Sequence, residues 1–242
     1  MHMNDRILIV NELWRVVEET TKSMGRPDRL FEIDTATSAL LVVDMQDGIC
    51  SPTGCIENPD ARGIVPKVNS LVRAARTASV PVIWIRFEVG KHQSDAGLWP
   101  LFQPASPRGP ERGLPPVEFS TEGREAGIWH EMSCDQERDY SVAKCRYSAF
   151  TPGSSNLERL LRTLHRKTLI ITGVGSNVCV ESTARDAMML DFEVVLVRDA
   201  TATFDMVFHE MTLMNIKLFF GDVVTAEEVR QAWDGMKGTH ER

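Results

Sequence analysis

The sequence predicts a three-layer αβα fold: a Rossmann-like, mostly parallel sheet with helices on both faces. Three observations carry that reading. Short apolar runs at 39–43, 80–87, 169–171 and 192–197 end in turn or polar residues, as strands buried on both faces do. Between them lie segments whose apolar residues recur at helical spacing, the alternation that builds a parallel sheet. A chain of 242 residues can also enclose a sizeable core within one such domain.

The totals narrow the function. A net charge of −7 argues against nucleic acid and anionic membranes as main partners, without excluding a small local basic patch. Cys50, Cys55, Cys134, Cys145 and Cys179 are odd in number and form no CxxC pair. With no signal-peptide pattern and no long apolar segment, they are expected to be reduced thiols in a cytoplasmic protein.

The first element is an amphipathic helix over 4–24, with Ile7, Leu8, Val10, Leu13, Trp14 and Val17, ending near Gly25 and Pro27. It precedes the first core strand, so residues 1–30 are expected to form a helical extension and 31–242 the main domain. Two roles are open to the extension: packing on its own domain, or covering a neighbouring subunit. The strand at 39–43 delivers Asp44 at its C-terminal end, where open parallel sheets handle ligands, although an Asp there also serves as a loop cap. A helix is expected over 66–78, with Pro66 in its first turn and Val68, Leu71, Val72 and Ala75 on one face. The strand 80–87 follows.

Residues 90–117 change character. Six of the twelve prolines lie here, and so long a segment without periodicity is expected to be a covering loop, with Trp99 and Phe102 to lay over a pocket, or a flexible one. A short helix is expected around 122–132. In the following YSVAKCRYSAF, Lys144 stands among apolar and aromatic residues, where an ammonium needs a carboxylate partner unless it reaches solvent at a strand end. Helices at 155–166, 209–217 and 226–236 and a short strand within 218–223 complete the pattern.

The stretch LIITGVGSNVCVESTARD organises the rest. A buried strand, the turn GVGSN and a helix follow one another, with Cys179 where the helix should begin. A thiol at a helix N-terminus feels the positive end of the dipole, which favours the thiolate, and the nearby N–H groups can hold an oxyanion. Two other readings of the stretch stand beside this one. Cys179 can be an inert buried thiol in a binding protein. Alternatively, Gly173 and Gly175 can begin a dinucleotide fingerprint that ends on Asp199, although Val178 occupies the third glycine position.

The pieces LLVVDMQ, KCRYSAF and TGVGSNVCVESTARDA, in this order, resemble the isochorismatase-like cysteine hydrolases over roughly residues 36–235. The resemblance implies a catalytic triad of Asp44, Lys144 and Cys179, a cis peptide between Val174 and Gly175, and an oxyanion hole from the N–H groups of Gly175 and Cys179. It also implies a homo-oligomer, dimer or tetramer, and a cofactor-free cysteine-dependent amidohydrolase that cleaves a C–N bond of a small-molecule substrate, a ureido, carbamoyl or amide compound, through a thioester, releasing ammonia. No metal is expected, because MQDGICSPTG after Asp44 lacks the histidines of the nicotinamidases. The phrases RYSAF and NVCVEST are most similar to the ureidoacrylate amidohydrolase branch, with N-carbamoylsarcosine amidohydrolase more distant. Trp84, Tyr147 and Phe150 are expected as pocket walls, and Gln46, Arg86 and Asn177 as polar contacts to substrate. Core packing or turn formation explains several of these equally well.

Overall fold

The computed structural model describes residues 3–90 and 119–236. Six strands form one sheet: β1 (Ser38–Val43), β2 (Val82–Phe87), β3 (Tyr140–Lys144), β4 (Thr168–Val174), β5 (Glu193–Ala202) and β6 (Asp222–Val224), in the order β3-β2-β1-β4-β5-β6. Every pairing is parallel. The central strands β1 and β4 are buried along their whole length, which is why their sequences read as continuous apolar runs rather than as alternating ones.

A single helical turn, α2 (Asp47–Cys50), follows β1, and longer helices cover both faces. On one, α3 (Pro59–Thr77) and α7 (Ala226–Met236) pack Val68, Leu71, Val72, Val229 and Trp233 against Leu40, Val42, Val82 and Trp84. On the other, α4 (Leu157–Thr163), α5 (Glu181–Met189) and α6 (Met206–Asn215) pack Leu157, Leu161, Ala184, Ala187 and Leu213 against Leu41, Val43, Ile83, Ile85 and Ile171. The period-2 alternation of each strand divides its side chains between the two cores.

Several elements differ from the sequence-based expectation. Helix α3 starts at Pro59, with the Asn58 side chain accepting the Asp60 N–H, and runs through Pro66, which lies inside the helix rather than at its start. The expected helix at 122–132 is one 3-10 turn, Arg124–Ala126, between Gly123 and Gly127. Helix α6 begins earlier than expected because Asp205 caps it, accepting the Val207 N–H at 2.8 Å. Of the Pro-rich stretch 90–117, all but Gly90 lies outside the described residues.

The N-terminal helix α1 (Met3–Ser23) packs on α6 of its own chain. Val10 and Val17 meet Met214, Trp14 Nε1 donates to Glu210 at 2.6 Å, and Arg6 pairs with Asp205 at 2.7 Å. Its outer face carries apolar side chains, with Leu8 68% exposed. No helix among the described residues is long and apolar enough to cross a membrane.

Candidate active site

Three strand ends converge at the C-terminal edge of the sheet. Asp44 follows β1 directly, Lys144 closes β3, and Cys179 lies in a π-helical turn, Ser176–Val180, between β4 and α5. Strands β1 and β3 are not neighbours, since β2 separates them. Lys144 is in register with Phe87 at the end of β2, and its ammonium passes over the Phe87 ring, 5.5 Å from the centroid. A long, unbranched side chain is what this crossing requires.

Lys144 Nζ lies 2.9 Å from Asp44 Oδ2 and donates to the Arg146 carbonyl at 3.2 Å. Both charged residues are buried, Lys144 at 0% exposure and Asp44 at 1%. Burial works to lower the Lys144 ammonium, but Asp44 and Cys179 outweigh it and hold it above the usual lysine range. Asp44 itself has a backbone φ of 53°, in the left-handed region, with its N–H on the Ile85 carbonyl at 2.8 Å. Its second oxygen, Oδ1, is buried with no hydrogen-bond partner among the described residues.

Cys179 is buried at 9% exposure. Burial first, and then the Asp44 charge, push its thiol up, while Lys144 pulls it down without prevailing. The helix-terminus effect favours the thiolate, whereas burial and the Asp44 carboxylate favour the protonated thiol. Cys179 is the fourth residue of the π turn rather than the first of a helix.

The backbone leading into the turn is tightly specified. Gly173 has φ 108°, and a Cβ there would sit 2.1 Å from the Val43 carbonyl oxygen, so only glycine fits beside β1. This glycine serves strand packing, not a phosphate loop. Asp199, the other end of the dinucleotide reading, accepts the Ala226 N–H at 2.7 Å and pairs with Lys67 at 3.1 Å. The Val174–Gly175 peptide is cis. Beneath the turn, Ser176 Oγ and His209 Nδ1 are 2.8 Å apart, a pair that no sequence motif announced.

A cavity of about 440 Å³ opens on Cys179 and Asp44, within the size range of small-molecule sites. Tyr147 lines it, as expected, together with Gly175. The remaining expected contacts lie elsewhere. Trp84 is buried on the opposite face of the sheet, where Nε1 donates to Asp139 at 2.8 Å. Arg86 shares that face by alternation and is held by Glu88 at 2.6 Å and Ser141 at 3.2 Å. Phe150 packs on Phe192, with centroids 5.4 Å apart, and borders a separate surface cleft. Gln46 is fully buried and clamps the chain: Nε2 donates to the Phe87 and Ala126 carbonyls, each at 2.9 Å, and Oε1 accepts the Phe87 N–H at 2.7 Å. Asn177 stands behind the wall, where its Oδ1 accepts from Thr203 Oγ1 at 2.8 Å.

In their place the cavity is walled by Phe87, Thr203 and Phe204, together with Ile49, Ile56 and Val178. Phe87 differs in parity from Trp84 and Arg86, so it faces the Cys179 side. Thr203 and Phe204 carried no signal. Among the described residues, no three His, Cys, Asp or Glu side chains cluster as a metal site.

Known proteins share this arrangement of elements. The isochorismatase domain model matches residues 38–228. A cysteine hydrolase from Pseudomonas syringae pv. phaseolicola 1448A superposes with a TM-score of 0.75 at 28% identity, covering 87% of this chain and 98% of that one. The pyrazinamidase of Pyrococcus horikoshii, solved in complex with zinc, gives 0.61 at 27% identity over 78% of this chain and 98% of its own. N-carbamoylsarcosine amidase from Thermoplasma acidophilum gives 0.60 over 79% and 97%, and at 20% identity it shares the fold alone. With about four-fifths of its length matched by one domain model, the chain belongs to the isochorismatase-like hydrolase family.

Proposed function

We propose that the protein is a cysteine-dependent amidohydrolase that cleaves a C–N bond of a small amide, ureido or carbamoyl substrate. The observation that carries this reading is the Lys144–Asp44 pair, 2.9 Å apart, whose second carboxylate oxygen stands without a partner on the wall that also presents Cys179. A protonated thiol is a poor nucleophile, so the site needs a base at the moment of attack. Asp44 Oδ1 is that base, and Lys144 holds the carboxylate in place and stabilises the charge that develops.

The Cys179 sulfur bonds to the substrate carbonyl carbon while its proton passes to Asp44. The N–H groups of Gly175 and Cys179 hold the tetrahedral oxyanion, worth on the order of 3 kcal/mol per donor. The C–N bond then breaks as the nitrogen takes the proton from Asp44 and leaves as ammonia or an amine, giving a thioester. Water, losing a proton to Asp44, attacks that thioester; the C–S bond breaks, the sulfur regains a proton, and the acid departs. Every proton is returned, and no redox partner is required.

An ammonia-release screen over ureidoacrylate, N-carbamoyl amino acids, biuret and simple amides tests the reading, with Cys179→Ala as control. Turnover that survives in the alanine variant contradicts it. The raised thiol favours a second reading, an inert binding protein of the same fold. Slow, unselective alkylation of Cys179 by iodoacetamide, with no hydrolysis of any amide, supports that alternative.

A further inference from the structure

The charges around the cavity are already spoken for. Lys144 Nζ is held by Asp44 at 2.9 Å. Arg62, the partner of the lining residue Glu57, is divided between that carboxylate at 2.9 Å and the Cys50 carbonyl at 2.7 Å. Arg86, expected as a polar contact to substrate, is turned to the opposite face and paired with Glu88. Among the described residues lining the cavity none carries a positive charge, whereas Asp44 and Glu57 are both acidic. The remaining wall is mostly hydrocarbon, from Ile49, Ile56, Phe87, Val174, Val178 and Phe204, the last 65% exposed at the rim, with Asn58, Tyr147 and Thr203 as its neutral polar groups.

A carboxylate entering such a site loses water and meets no unpaired cation among the described lining residues, where Asp44 and Glu57 already hold Lys144 and Arg62. An uncharged apolar group loses nothing polar and covers the aliphatic and aromatic wall. We infer that the group carried by the scissile carbonyl is uncharged and apolar, a small aliphatic or aromatic carboxamide, and that carboxylate-bearing ureides and N-carbamoyl amino acids are rejected. The inference rests on the hydrolase reading for its chemistry, but the charge preference of the cavity is measurable without turnover.

Iodoacetamide and iodoacetate deliver the same carbon to a thiol, with loss of iodide, and differ in charge. Their rates at Cys179 are measured on the full chain by peptide mass spectrometry, each normalised to glutathione, with Cys134, which borders a different cavity, as internal reference. The normalised preference for iodoacetamide at Cys179 is expected to exceed that at Cys134 by at least about tenfold. Ile56→Lys, which places a cation on the wall, is expected to reduce or reverse it. In parallel, ammonia release from an aliphatic carboxamide is expected to exceed that from its ω-carboxylate analogue by about a hundredfold in kcat/KM. Equal normalised rates at Cys179, or equal turnover of the two amides, overturns the inference. A strong iodoacetamide preference with no amide hydrolysed leaves the charge preference standing and removes the hydrolase reading. If neither reagent labels Cys179, both fail.

Discussion

Lys144 Nζ and Asp44 Oδ2 meet at 2.9 Å although their strands are separated by β2, and the contact is closed from water. A buried ion pair of this kind offsets a large desolvation cost only while both partners are present. Lys144→Met keeps the length and removes the charge, which leaves the Asp44 carboxylate uncompensated. It is expected to destabilise the fold by about 3–5 kcal/mol in urea denaturation, and Asp44→Asn combined with Lys144→Met is expected to recover part of that loss. Single variants as stable as the wild type would show that the pair is not energetically coupled.

Asp44→Asn alone preserves shape and removes the base. With the base gone, kcat is expected to fall on the order of 10²–10⁴-fold, while KM changes far less, because the carboxylate acts on the thiol proton and not on the apolar part of the substrate. Steady-state ammonia release separates the two. A change confined to KM assigns Asp44 to binding instead.

The alkaline limb of stability reports the thiol. Cys179 is held above its ordinary value, so the unfolded chain gives up that proton first as pH rises. Stability therefore falls from about pH 8.5 upward, by up to about 1.4 kcal/mol per pH unit for this one group. Lys144 is also held above its ordinary value, and its stabilising contribution, full at lower pH, begins to be lost only above about pH 10.4. Between these limits, Cys179→Ala is expected to lose stability less steeply than the wild type in denaturant titrations. Parallel slopes would mean that the buried thiol titrates at its ordinary value.

Gly173→Ala places a Cβ 2.1 Å from the Val43 carbonyl oxygen at φ 108°. The strand β4 cannot shift away without opening its pairing to β1, so a loss of at least about 3 kcal/mol is expected in urea denaturation. A variant with an unchanged midpoint would show that β4 relaxes more readily than its burial implies.

The sheet was legible because its central strands, 39–43 and 169–171, are buried on both faces and read as unbroken hydrocarbon. The same property hid the pocket. A run such as that of β2, apolar at five of its six positions, does not say which parity faces which core, so Trp84 and Arg86 were expected at the site when Phe87 occupies it. Gln46 and Asn177 stood at the right chain positions, yet their side chains satisfy backbone and Thr203 groups that only the folded chain brings near. Pro66 misled because proline is favoured in a first turn and costly in a helix interior, where α3 nonetheless carries it with its apolar face packed on the sheet. Asp44, Lys144 and Cys179 were found through ordered motifs, since no periodicity tells that three distant strand ends converge.

Covalent chemistry at one sulfur is the claim on which the proposed activity depends. The direct measurement is rapid-quench mass spectrometry of the peptide bearing Cys179 during hydrolysis of a small uncharged carboxamide. An acyl adduct on Cys179 that forms and decays at the rate of ammonia release, and that is absent in Asp44→Asn, is the predicted result. Ammonia release with no adduct, or at an undiminished rate in Cys179→Ala, would contradict it.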